Sequence, residues 1–205
     1  MTTDTTPAYL NPYLRAASRH GAGFSSLLWA SPQTQAVRFT ALTRLVGLNG
    51  KSILDVGCGR ADLLDFLLAR SISPAHYVGL EGVAALAEAA EAKHHPDALI
   101  VRADFVREPL RLFVGADIVY FSGSLNTLDA ASFYATIGRA YDAAAETLVF
   151  NFLASPDLAG VSYLHWHEPA EVWAFAKGLT DDVRRLDDYL AGDTTLALTK
   201  PEEHR

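Results

Sequence analysis

Between Ile53 and Leu68 an apolar run, Ile53-Leu54-Asp55-Val56, breaks at Gly57-Cys58-Gly59 and gives way to Leu63, Leu64, Leu67 and Leu68 at helical spacing. This is a strand, a tight turn and a helix in succession. Gly57 and Gly59 carry no Cβ, so the backbone can bend sharply there and a ligand can approach main-chain groups at the helix N-terminus. Further strands alternate with helices along the chain, which implies an α/β domain with a mainly parallel, doubly wound sheet.

The turn itself restricts the ligand. A dinucleotide fingerprint needs glycine at its first, third and sixth positions, so that the helix packs closely and a pyrophosphate sits on its N-terminus. The sixth position here is Asp62, whose carboxylate repels a pyrophosphate but suits the helix dipole or an amino group. A P-loop is excluded as well, because no Gly-Lys-Ser/Thr follows Gly59. A cofactor that carries positive charge fits better.

Three more segments follow in order. Ala75-His76-Tyr77-Val78-Gly79-Leu80-Glu81 is a strand that ends in a carboxylate, 24 residues after Gly57, with a helical stretch from Val83 to Lys93 behind it. An acidic group at that place in a βαβ unit reaches ribose hydroxyls, since a carboxylate accepts two hydrogen bonds from a vicinal diol. A solvated carboxylate at a strand end is the other reading. Ala98-Leu99-Ile100-Val101-Arg102-Ala103-Asp104-Phe105 repeats the pattern, and Ala116-Asp117-Ile118-Val119-Tyr120-Phe121 runs into the turn Ser122-Gly123-Ser124-Leu125-Asn126. Asp129 then caps a helix with the stripe Phe133, Ile137, Ala140, Tyr141 and Ala144.

Taken together, the four segments resemble the ordered motifs of the class I S-adenosylmethionine-dependent methyltransferases over roughly residues 50–200. Ala61 stands where the third glycine of their first motif usually lies. The resemblance implies a Rossmann-like seven-stranded sheet with an antiparallel last strand, preceded by N-terminal helices. It implies S-adenosylmethionine as cofactor and S-adenosylhomocysteine as product, held by Asp55, Gly57, Cys58, Gly59, Glu81, Gly82, Asp104, Phe105 and Ser122. In that scheme Glu81 binds the ribose, Asp104 accepts from the adenine amine, Phe105 lies against the base, Asp55 helps hold the ammonium, and Arg60 or Arg38 pairs the carboxylate. A surface aspartate and a core phenylalanine would look the same at 104 and 105. The signature Asn/Asp-Pro-Pro-Tyr/Phe, which grips planar amines in nucleobase and glutamine methylation, is absent.

Thr147 to Phe152 reads as a fifth buried strand, Ala170 to Leu179 as a helix, and Val183–Tyr189 with Thr194–Thr199 as a closing antiparallel pair. One domain over residues 1–205 is expected, with 1–49 as a helical extension or lid and 50–200 as the cofactor-binding core. In the extension, Ser31-Pro32 opens a helix whose apolar face is Val37, Leu42, Leu45 and Val46. Tyr13, Trp29, Gln35 and Arg38 are candidate lid residues, although the aromatics could equally be packing groups. The loop Ala154–Glu168 is a second candidate lid.

The polar side chains expected to face the acceptor are Ser122, Ser124, Asn126, Asn151, Tyr163 and His165. His165, Ser122 and Asn126 are the catalytic candidates, with His165 as general base because its ordinary pKa lies nearest neutrality. His165, His167 and Glu168 invite a metal reading, but no third clear ligand or supporting shell is visible and no metal is expected. His94-His95 reads as a helix end. Cys58 is the sole cysteine, which excludes an intrachain disulfide and a cysteine zinc cluster; a small buried side chain is expected rather than a catalytic thiol.

Net charge of −7 is the wrong sign for binding a phosphate backbone, so a small molecule or a protein side chain is favoured over nucleic acid as the acceptor. No apolar run reaches the ~18 residues needed to span a membrane, and Met1 to Pro7 lacks the basic start of a signal peptide, so a cytoplasmic monomer or homodimer is expected. The expectation is therefore a methyltransferase that acts on a small molecule by in-line methyl transfer. The alternative is a non-catalytic regulator or scaffold of the same fold that binds S-adenosylmethionine or S-adenosylhomocysteine.

Overall fold

The computed structural model describes residues 6–201; residues 1–5, part of the stretch read for a signal peptide, lie outside them. Helices α1 (Asn11–His20) and α2 (Pro32–Leu45) lead into strands β1 (Ser52–Val56), β2 (His76–Glu81), β3 (Ala98–Arg102), β4 (Ile118–Phe121), β5 (Thr147–Leu153), β6 (Asp182–Leu186) and β7 (Asp193–Thr199). Between them lie α3 (Asp62–Leu68), α4 (Ala84–Glu91), α5 (Ala130–Ala143) and α6 (Pro169–Leu179). The strands form one sheet in the order β3-β2-β1-β4-β5-β7-β6, and β7 alone runs antiparallel to its neighbours.

Burial explains the composition of the strands. β4 and β5 are buried at every position, as strands covered on both faces must be. Adjacent residues send their side chains to opposite faces. Ile53, Tyr120, Val149 and Ala197 join Phe39, Leu42 and Leu45 of α2 and Leu63, Phe66 and Leu67 of α3 in one core. Leu54, Phe121, Phe150 and Leu198 join Phe133 and Ile137 of α5 and Val172 and Ala176 of α6 in the other.

Helix starts follow local chemistry. Ser31 Oγ accepts from Thr34 N and Thr34 Oγ1 accepts from Ser31 N, both at 3.1 Å, with Pro32 in the first turn of α2. The buried face of this helix includes Phe39 and Arg38 in place of Val37. Asp129 caps α5 by accepting from Ser132 N at 2.8 Å. His94-His95 does not end a helix: α4 stops at Glu91, His94 takes a left-handed φ of 49°, and the His95 ring meets Asp65 at 2.7 Å. Among the described residues, no helix is long and apolar enough to cross a membrane.

Strand order reverses at β1, which lies between β2 and β4, so the turns after β1 and β4 stand side by side at the carboxyl edge of the sheet. Ser124 Oγ ties them together by donating to Val56 O at 2.6 Å.

Candidate active site

The bend after β1 is held from behind. Gly57 N and Cys58 N both donate to Leu80 O, at 2.8 and 3.0 Å. Gly57 (φ 74°) and Gly59 (φ 57°) occupy the left-handed region, and a Cβ on Gly57 would lie 2.4 Å from Ser124 Cβ, one on Gly59 2.6 Å from Leu27 Cδ2. Ala61, in place of the usual third glycine, is also left-handed at φ 55°. Burial pushes the Cys58 thiol well up and its sulfur lies behind the turn next to Gly79, as a packing group would.

Two carboxyl groups converge on this bend. Glu81 Oε2 accepts from Gly59 N at 2.8 Å and its Oε1 from Val83 N at 2.7 Å. Asp55 accepts from the Tyr77 hydroxyl at 2.6 Å. Only 6% of Glu81 and 3% of Asp55 is exposed. Burial raises the pKa of each to about 7, against the pull of the Val83 and Gly59 amides on Glu81 and of Tyr77 on Asp55. Neither has a cationic partner among the described residues.

Asp55, Gly57, Cys58, Gly59, Glu81 and Phe105 line one cavity of about 260 Å³, together with Ser122, Ser124 and Asn126 from the turn after β4. Phe105 is braced edge-on against Phe121 at 5.6 Å between ring centres. The extension contributes Tyr9, Tyr13, Trp29, Gln35 and Arg38, and the loop after β5 contributes Tyr163.

Several expected site residues stand elsewhere. Asp104 does not line the cavity: its carboxylate accepts from the Tyr9 hydroxyl at 2.8 and 2.9 Å and from Val106 N and Arg107 N at 3.0 and 3.3 Å. Tyr9 stands in the cavity wall in its place. Gly82 is outside the lining too, against Leu10, whose Cδ2 lies 3.3 Å from where a Cβ would be. His165 is exposed and outside the cavity, and only its backbone N is fixed, donating to Asn126 O at 2.8 Å. Its ring therefore stands away from the cavity into which a general base has to reach.

Arg38 and Asn151 belong to a buried network. Arg38 Nε donates to Asp193 Oδ2 at 2.9 Å, its Nη2 also reaches Asp193, and its Nη1 donates to Thr34 O at 3.1 Å. Asn151 Nδ2 donates to the same carboxylate at 3.1 Å, while its Oδ1 accepts from Gly123 N at 2.7 Å. Arg38 lines the cavity but has its charge matched by Asp193, and Asn151 does not line the cavity. Arg60 is likewise turned to Asp62 and Ala22 O. His167 is buried, stacked on Phe133 at 3.8 Å, and burial lowers its pKa to about 4. Among the described residues, no three His, Cys, Asp or Glu side chains are grouped to hold a metal.

Sequence reasoning missed Asp193, which pairs with Arg38 across 155 residues and lies in no local motif. It also missed Tyr9 and Thr127. Tyr9 lies in the turn before α1, where no helical spacing marks it.

No protein-family model and no curated protein sequence matches the chain. Solved structures do. Magnesium protoporphyrin IX methyltransferase (ChlM) from Synechocystis PCC 6803 with bound S-adenosylmethionine is 14% identical, with 97% of this chain and 100% of that one covered and a TM-score of 0.68. The DhpI complex with S-adenosylhomocysteine is 19% identical over 95% of each chain, with a TM-score of 0.68. An O-methyltransferase family protein from Burkholderia thailandensis is 14% identical over 84% of this chain and 59% of that one, with a TM-score of 0.63. With the strand order above, these similarities give the chain the Rossmann-like fold of the class I S-adenosylmethionine-dependent methyltransferases.

Proposed function

We propose that the chain is an S-adenosylmethionine-dependent methyltransferase acting on a small molecule by in-line methyl transfer, a cytoplasmic monomer or homodimer. The observation that carries this reading is the pair of buried, cation-free carboxyl groups, Asp55 and Glu81, beside the Gly57–Gly59 bend in one cavity. Burying such groups is costly unless a ligand compensates them. A ribose diol and an ammonium group are suitable partners. The bound cofactors of ChlM and DhpI add support from the same fold.

The chain's own residues would then bind and orient. Glu81 accepts from the ribose hydroxyls, Asp55 steadies the ammonium directly or through water, and the bend leaves room for the methionine end. Phe105 offers a face to the base. Asp104 reaches the cofactor only if Tyr9 yields, so Tyr9 replaces it at the cavity wall. Bound S-adenosylmethionine supplies an electrophilic methyl carbon. Because the chemistry lies in that sulfonium, holding the acceptor in line and excluding water dominates the protein's contribution.

Calorimetry with S-adenosylmethionine and S-adenosylhomocysteine tests the proposal. Binding is expected for both, and Glu81→Ala should weaken it by about tenfold or more, the loss of two charge-assisted hydrogen bonds. No binding at millimolar concentration would remove the reading. Cofactor binding with no methyl transfer in any acceptor screen would favour the non-catalytic alternative.

A further inference from the structure

The cavity also restricts the second reactant, an argument that rests on the methyltransferase reading. The wall supplied by neither the glycine turn nor the ends of β2 and β3 is largely apolar, with Leu28, Trp29, Leu153, Leu158, Leu164 and Leu190. Apart from Arg38 its polar groups are uncharged, among them the hydroxyls of Tyr13, Ser122, Ser124 and Tyr163 and the amides of Gln35 and Asn126. Burial pushes the Tyr13 phenol up, so it keeps its proton at neutral pH. Among the described residues no lysine or histidine lines the cavity, and its single arginine, Arg38, is committed to Asp193. A carboxylate, phosphate or ammonium on the acceptor would lose its water against this wall and gain no counter-charge.

Two lining residues, Ser122 and Asn126, hold a buried side-chain oxygen without a partner, and Asn126 is the more deeply buried of the two. Asn126 is 8% exposed and lines the cavity, yet its Oδ1 is buried with no hydrogen-bond partner. Its backbone is pinned, N to Gly123 O at 3.2 Å and O to His165 N at 2.8 Å, so only a turn of the side chain itself changes where the amide points. Buried polar atoms in folded proteins are normally paired.

We propose that the acceptor is an uncharged, mostly apolar small molecule that donates the hydrogen of its nucleophilic group to Asn126 Oδ1. Asn126 is then a positioning residue. The nucleophile's lone pair forms the bond to the methyl carbon as the carbon–sulfur bond breaks and its electron pair stays on sulfur. The nucleophile's proton goes to solvent, because a neutral amide oxygen orients a hydrogen but does not keep it.

Matched probes test this on the full chain saturated with S-adenosylhomocysteine, whose own affinity is measured first. Phenol, aniline and benzyl mercaptan are titrated calorimetrically against 4-hydroxybenzoate, 4-aminobenzoate and 4-(mercaptomethyl)benzoate. At least one uncharged probe should bind about tenfold or more tightly than its carboxylate counterpart. Asn126→Leu should weaken that probe by about tenfold, whereas Asn126→Asp, which keeps an oxygen acceptor, should stay within about threefold of wild type. Should Asn126→Leu fail to fold, seen as loss of nucleotide binding, Asn126→Ala takes its place. Equal or tighter binding of the carboxylates, no binding of any uncharged probe, or unchanged affinity in the Leu or Ala variant would overturn the inference and leave the cofactor reading standing. Absence of S-adenosylhomocysteine binding in the wild type would overturn both.

Discussion

His167 ties stability to pH through a single ring. Packed on Phe133, it stays neutral in the folded protein down to about pH 4, whereas an unfolded chain takes up the proton near the ordinary value of 6.5. Between those values the unfolded state binds more protons, so this residue's contribution is intact above pH 6.5 and is lost as pH falls toward 4. Thermal unfolding followed across that window should show the wild-type midpoint dropping relative to that of His167→Phe as pH falls, because only the difference between the two isolates this ring. Gly57 gives a second test. Gly57→Ala would place a methyl group 2.4 Å from Ser124 Cβ at a φ of 74°, which should cost about 2–4 kcal/mol in denaturant unfolding. The role of Gly57 was legible because a turn of this kind repeats a local pattern. The environments of His165 and His167 were not, because two residues apart in a loop with little regular structure nothing local decides which ring faces Phe133 and which faces water.

Helix α2 is joined to β7 by the Arg38–Asp193 pair and, through Asn151, to the backbone of Gly123 in the cavity wall. Asp193→Ala would leave a buried guanidinium without its counter-ion, and a loss of about 3–5 kcal/mol is expected in chemical denaturation. The Ser31 cap of the same helix is worth less: Ser31→Ala should cost about 1 kcal/mol in the same measurement. The contrast explains what could be read beforehand. Caps, proline starts and alternating strands are written within a few residues, so the elements were accessible, whereas the seven-stranded sheet with its antiparallel last strand followed from the family resemblance. The partner of Arg38 is set by how β7 enters the sheet, which is why Arg38 looked free for a ligand.

Taken as one molecule, the protein keeps its two unpaired carboxyl groups where a cofactor would supply their partners. With pKa values near 7 in the folded chain and near 4 when unfolded, Asp55 and Glu81 stabilise the free protein most at low pH, and that contribution fades as pH rises toward and through 7. This opposes the His167 effect below pH 6.5, so the His167→Phe background is the place to see it. Ligand groups that favour the ionised carboxylates should release protons at pH 7, and affinity for S-adenosylmethionine should fall as pH drops from 8 to 6. Calorimetry in buffers of different ionisation heat measures both. The cavity's position at the sheet switch point was foreseeable from topology, but the mostly uncharged wall was not, since it is assembled from four segments distant in sequence.

The antiparallel insertion of β7 between β5 and β6 has a consequence for biosynthesis. β6 pairs only with β7, and Arg38 waits for Asp193, so the growing polypeptide carries a lone edge strand and an unmatched cation until β7 leaves the ribosome. At about 5–20 residues per second, the 155 residues between the ion-pair partners take roughly 8–30 s to translate. During that interval the nascent chain is the state most exposed to chaperones and proteases.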